Sequence, residues 1–127
     1  MQVDLEISAG SANAARLEKA LRDAGFRPDE QRIWRWKSND GYQGAMVKFE
    51  LLADLDTEPA GVTLRFDNCD DLGAANLRGT GFATMDREVR SLVAADHGVR
   101  CQADIYVTGL AGFLLAKSAA ACHRGCR

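Results

Sequence analysis

No stretch of this sequence stays apolar long enough to cross a bilayer. The longest run, Leu110 to Cys122, is broken by Lys117 and falls short of the roughly 20 residues a spanning helix needs. Charge is not gathered into blocks either. Sixteen Lys and Arg are interspersed with 18 Asp and Glu, for a net charge of −2. That excludes a basic tail for nucleic acid and leaves any such contact to a patch, such as Arg22, Arg27, Arg32, Arg35 and Lys37. No secretory leader, linker or internal repeat is legible, so one cytoplasmic domain over 1–127, with no membrane partner, is expected. Its four cysteines, Cys69, Cys101, Cys122 and Cys126, are then expected to be reduced. Cys122-His123-x-x-Cys126 lacks the second ligand pair of a structural zinc site. No Ser/Cys–His arrangement supports a nucleophile.

The remaining composition, 46% hydrophobic and 27% charged, is that of a globular domain with a modest core. Gln2 to Ile7 alternates, with Val3, Leu5 and Ile7 on one face and Gln2, Asp4 and Glu6 on the other. Ser11 opens a helix through Ala24, with Leu17 and Leu21 at helical spacing, Glu18–Arg22 as an i,i+4 pair and Gly25 as its stop. Ile33 to Lys37 and Met46 to Leu52 read as two arms of a hairpin around Asn39-Asp40-Gly41, with Trp34 and Trp36 as core or interface anchors. Val62 to Phe66 is a further strand. Asn68 to Phe82 reads as a long irregular loop. Glu88–Ala94 and Val99–Val107 form a second hairpin around Asp96-His97-Gly98, and a helix follows from Leu110. The order β-α-β-β-β-loop-β-β-α is that of an α+β domain.

Chemistry is concentrated in few residues. Asp4 on the first strand and Glu50 on a later one stand in similar apolar frames, and neighbouring strands that aim carboxylates alike can hold Mg²⁺. A surface ion pair of Glu50 with Lys48 is the plainer alternative. Lys117 interrupts an apolar helix face, as a snorkelling cation or as a phosphate contact.

Gln2-Val3-Asp4-Leu5, Phe49-Glu50-Leu51-Leu52, the Gly109-Leu-Ala-Gly-Phe-Leu-Leu-Ala-Lys117 segment and the Lys117, Ala120, Arg124 series occur in that order. Together they resemble the AbiEii/AbiGii-type toxin family of the minimal nucleotidyltransferase superfamily. The resemblance implies a nucleotidyltransferase-like mixed sheet flanked by helices, incomplete at both ends. It also implies Mg²⁺ as cofactor and transfer of a nucleotidyl group from a nucleoside triphosphate to an acceptor such as RNA. Asp4, Glu6 and Glu50 would hold the metal. Lys117 would touch phosphates, and Arg124 would support the nucleotide or the acceptor. A cognate antitoxin is implied as partner, and a homodimer is expected if the chain serves as a binding module. Gln2 stands where the family pattern has a first acid, and Gly10-Ser11 follows the acidic strand instead of preceding it. Weak or no turnover by this chain alone is therefore expected.

Overall fold

The computed structural model describes residues 2–6, 11–38 and 46–125, the side chains of 2–6, 11, 12, 96, 123 and 124 excepted. Its elements are β1 (Gln2–Glu6), α1 (Ser11–Asp23), β2 (Phe26–Pro28), β3 (Arg35–Ser38), β4 (Lys48–Ala53), β5 (Thr63–Arg65), β6 (Gly73–Asn76), α2 (Phe82–Met85), β7 (Arg87–Asp96), β8 (Val99–Thr108) and α3 (Leu110–Gly125). The α+β mixed sheet follows the expectation; the order is β2-β3-β4-β6-β5, with β1 also on β4.

β4 organises this sheet. It runs antiparallel to β3 and parallel to both β1 and β6. Leu51 N donates to Trp34 O at 2.8 Å, and Ala53 O accepts from Leu77 N at 2.8 Å. Alternate residues of a strand send their backbone groups to the same edge, so β3 and then β6 share one edge of β4. β1 takes the opposite edge along Lys48–Leu52. Where β3 gives way to β6, Gly73 N donates to Ile33 O at 3.4 Å. A Cβ on Gly73 would sit 2.6 Å from Ile33 Cδ1 and 2.9 Å from Leu64 O, so the close approach demands glycine there.

One face of the sheet is the core. Trp36, Leu51 and Leu72 are fully enclosed, and Ala14 and Leu21 of α1 belong to the same cluster, with Leu17 against it. Those three α1 positions recur at the helical period, so one stripe of the helix covers this face. Each large side chain buried this way contributes about 1.5–3 kcal/mol. Trp36 and Phe49 are register partners, so the odd residues of β4 face the core, and Lys48 and Glu50 lie on the other face. Glu18 of α1 is buried but satisfied. Its carboxylate accepts from Asp71 N at 2.7 Å and Asp70 N at 3.1 Å, which fastens the helix to the 67–72 loop.

Two strands differ from the sequence reading. Residues 73–76 were expected within an irregular loop, yet β6 pairs with β4 and β5 and is largely buried. Gly-Ala-Ala-Asn has no β-branched or aromatic residue, so propensity is silent, and burial between two strands decides. β2 likewise arises where Pro28 reads only as a stop; proline is tolerated because β2 is an edge strand. The Asn39-Asp40-Gly41 turn lies outside the described residues, but the β3–β4 hairpin it was expected to join is present.

The C-terminal third stands apart from this sheet. β7 and β8 pair over ten positions, without a third strand among the described residues. His97 (φ 46°) and Gly98 (φ 79°) give the turn two successive positive φ values, the type I′ signature. α3 packs on α2. Asp86 ties the two together, accepting Gly109 N on its carbonyl at 2.6 Å and Gly112 N on its carboxylate at 3.1 Å, among the orphan N–H groups at the start of α3. No helix among the described residues is long and apolar enough to cross a membrane.

Candidate functional site

The face of the sheet away from α1 is polar, and register arranges its residues in rows. Asp4 of β1 stands opposite Glu50 of β4, and Arg35 of β3 stands opposite Glu50 from the other side. Arg35, Glu50 and Asp4 therefore form one row across three strands. Glu50 Oε1 accepts from Arg35 Nε at 2.7 Å and from Arg35 Nη2 as well. Both side chains are less than one-fifth exposed, so the pair is partly desolvated and held by two charge-assisted bonds. The plainer alternative read from sequence, an ion pair of Glu50, named Lys48 as the partner. A residue two positions along a strand is about 7 Å away, whereas a cross-strand neighbour is about 5 Å away, and Arg35 has the shorter reach.

The next row on the same face is Arg27, Lys37, Lys48 and Gln2, contributed by β2, β3, β4 and β1. Lys37 pairs with Asp29. Asp29 Oδ1 also accepts from Gln31 N at 2.9 Å and Arg32 N at 3.2 Å. The bond from Lys37, reinforced by these amides, lowers the Asp29 carboxyl to about 2 from its ordinary 3.8. Because the folded value is depressed, this contribution to stability is complete above pH 3.8 and fades as pH falls towards 2. Lys37→Ala is expected to move the Asp29 midpoint back towards 3.8, read by carboxyl-carbon NMR titration. A midpoint that stays at about 2 would show that the amides suffice. An open cleft of about 510 Å³ lies here, lined by Arg27, Asp29, Glu30, Lys37 and Ser38 among others.

The remaining candidates are placed differently. Lys117 lies exposed on α3, its ammonium 5.4 Å from the Phe113 ring centroid, a cation–π contact. α3 has α2 as its packing neighbour, so Lys117 is not brought to the Asp4–Glu50 row. The side chains of Asp4, Glu6, His123 and Arg124 lie outside the described residues, as does Cys126. Among the described residues no three His, Cys, Asp or Glu side chains gather as a metal site. In the acidic row, backbone register sets Asp4 opposite Glu50 on adjacent strands, and the Glu50 carboxylate is already held by Arg35. Burial, with Glu18 nearby, pushes the Cys69 thiol up, which disfavours the nucleophilic thiolate.

The sequence reading saw the basic residues as a loose cluster and missed their alignment. A signal existed in the i,i+2 spacing of Arg35 with Lys37 and of Lys48 with Glu50, since such pairs share a strand face. The register that lines them up was not readable, because β2 was not foreseen. No family model, curated protein or solved structure matches the chain.

Proposed function

We propose that this chain is a nucleotidyltransferase-like domain of the AbiEii/AbiGii toxin type. Its parent reaction is Mg²⁺-dependent transfer of a nucleotidyl group from a nucleoside triphosphate to an acceptor such as RNA. The observation that carries this reading is the register of Asp4 opposite Glu50. Carboxylates so placed are what a shared cation needs, and the adjoining cationic row suits the triphosphate. Asp4 and Glu50 would hold the ion, with Glu6 two residues further along β1. A bound Mg²⁺ would neutralise phosphate charge at the transferred group. Arg35 holds Glu50 in place and competes with the ion for its carboxylate. By the resemblance, Lys117 and Arg124 serve phosphates and acceptor. With Gln2 in place of a second carboxylate on β1, turnover is expected to be weak.

Calorimetric titration with a nucleoside triphosphate, with and without Mg²⁺, tests this. Mg²⁺-dependent binding lost in Asp4→Ala is the expected result, and Gln2→Asp is expected to raise transfer of an α-phosphate label to RNA. Binding indifferent to Mg²⁺ or to Asp4→Ala sinks the metal site. Brisk wild-type transfer that disappears in Asp4→Ala would keep the site and overturn the expectation of weak turnover.

A second reading, a module that dimerises with a second copy of the chain, is favoured by the β7–β8 ribbon. One of its faces carries Leu92, Ala94, Val99, Cys101, Ala103 and Ile105, all exposed. An isolated two-stranded ribbon is marginal in water, and an apolar face of this kind calls for cover.

A further inference from the structure

We propose that the row Arg27–Lys37–Lys48 is a binding site for a short polyphosphate, the triphosphate chain of a nucleotide. The site rests on the nucleotidyltransferase reading only for the identity of the nucleotide; the anion site itself follows from the sheet. Arg27 is the register partner of Lys37, and Lys37 is the register partner of Lys48. Like charges directly opposite each other destabilise a ladder, and here two such pairings follow in succession. Only Lys37 has a carboxylate partner, Asp29; among the described residues Arg27 and Lys48 form no ion pair. The acid nearest Lys48 along its own strand, Glu50, is paired with Arg35. Lys48 is moreover half-buried, where an ammonium without a partner among the described residues is costly. A fold that carries this repulsion is arranged for an anion.

Size and position narrow the anion. Three adjacent strands span about 10 Å from first to last, the reach of a few linked phosphates. Arg27 and Lys37 line the cleft of about 510 Å³, and Lys48 stands beside Lys37 in the same row, outside the cleft lining. Asp29 and Glu30 close the same cleft with negative charge. A continuous nucleic-acid backbone would have to run past them, whereas a short polyphosphate need span only the cations. The row also lies one same-face step, about 7 Å, from Glu50 and Asp4. A triphosphate laid along it runs beside the acidic row, one same-face step away. This assigns to the sheet the phosphate contact that the family resemblance gives to Lys117.

Metal-free calorimetry with inorganic tripolyphosphate at low salt tests the assignment. The wild-type chain is expected to bind, with affinity falling as salt rises. Arg27→Gln and Lys48→Gln should each cost about tenfold, while Lys19→Gln, exposed on α1 and paired with Asp23, should bind as wild type does, and Lys117→Gln is measured beside them. No wild-type binding overturns the proposal, as does a Lys48→Gln variant with unchanged affinity or a loss confined to Lys117→Gln. If a substituted chain does not fold by circular dichroism, the wild type decides. Amide shifts on titration must then centre on residues 27, 37 and 48, and shifts centred elsewhere refute the site. A 12-mer of oligouridylate that displaces tripolyphosphate at equal phosphate concentration would overturn the choice of a short polyphosphate over nucleic acid. Failure of the nucleotidyltransferase reading is separable, because it removes Mg²⁺-dependent nucleotide binding and leaves metal-free tripolyphosphate binding intact.

Discussion

Asn76→Ala is expected to lower the stability of the fold by about 3 kcal/mol, with a fall in Tm on the order of 10 °C. Asn76 is fully enclosed at the end of β6. Its Oδ1 accepts from Leu55 N at 2.8 Å, and its Nδ2 reaches the carbonyls of Leu55, Glu58 and Pro59 at 3.0–3.1 Å. A single side chain thus does for the 55–59 loop what a neighbouring strand would do for a ladder. Truncation leaves one backbone N–H and three carbonyls short of a partner, each worth about 1–3 kcal/mol where water cannot enter. Arg78, which donates to the Leu55 and Glu58 carbonyls, limits the loss. Asn76→Asp should be worse, because it sets a carboxylate against those carbonyls. Urea denaturation followed by circular dichroism measures both. A loss under about 1 kcal/mol for the alanine variant would mean that water takes over the amide's bonds.

A second large effect is expected at the other end of the molecule. Leu92→Glu with Ile105→Glu should convert a dimer to a monomer, a change of at least a hundredfold in association constant. Leu92 is 53% exposed and Ile105 is 38% exposed on the same ribbon face, with Val99 at 62% beyond them. Leu110, Phe113 and Leu114 of α3 are also exposed. An exposed apolar surface of this kind on the ribbon is what a second copy would cover. A second copy suits this face because Arg90, the cation on it, is already neutralised by Glu88 at 2.6 Å. A twofold packing then leaves that described ion pair balanced. Sedimentation equilibrium of the full chain reads the outcome. Val89→Glu, on the opposite face of the ribbon, should leave the dimer intact. A wild-type monomer at tens of micromolar, or a dimer that survives both glutamates, defeats the self-association reading.

How much of this was visible in the chain depended on whether the signal was local. α1 was legible because Leu17, Leu21 and Gly25 carry period and stop together, and Gly25 does adopt a positive φ of 83°. The second hairpin was legible from strict alternation and a turn with glycine at its second central position. β6 was not, because Gly-Ala-Ala-Asn becomes a strand only when β4 and β5 flank it. At the site, Asp4 and Glu50 could be picked out as acids in apolar frames, and the structure sets them opposite each other. That Arg35 and not Lys48 would hold Glu50 needed the cross-strand register, as did the alignment of Arg27 with Lys37 and Lys48. Lys117 was chosen for breaking an apolar helix face, a pattern that says nothing about which element the helix packs on.

The sharing of β4 among β1, β3 and β6 also has a kinetic meaning. The β7–β8 ribbon joins neighbours in the chain and can close in about 1–10 μs. Both parallel ladders of β4 unite distant segments and must first bear the cost of long loop closures, which makes them slow. The acidic row is therefore among the last features to form. Its assembly should coincide with the final folding phase, well after the ribbon has paired.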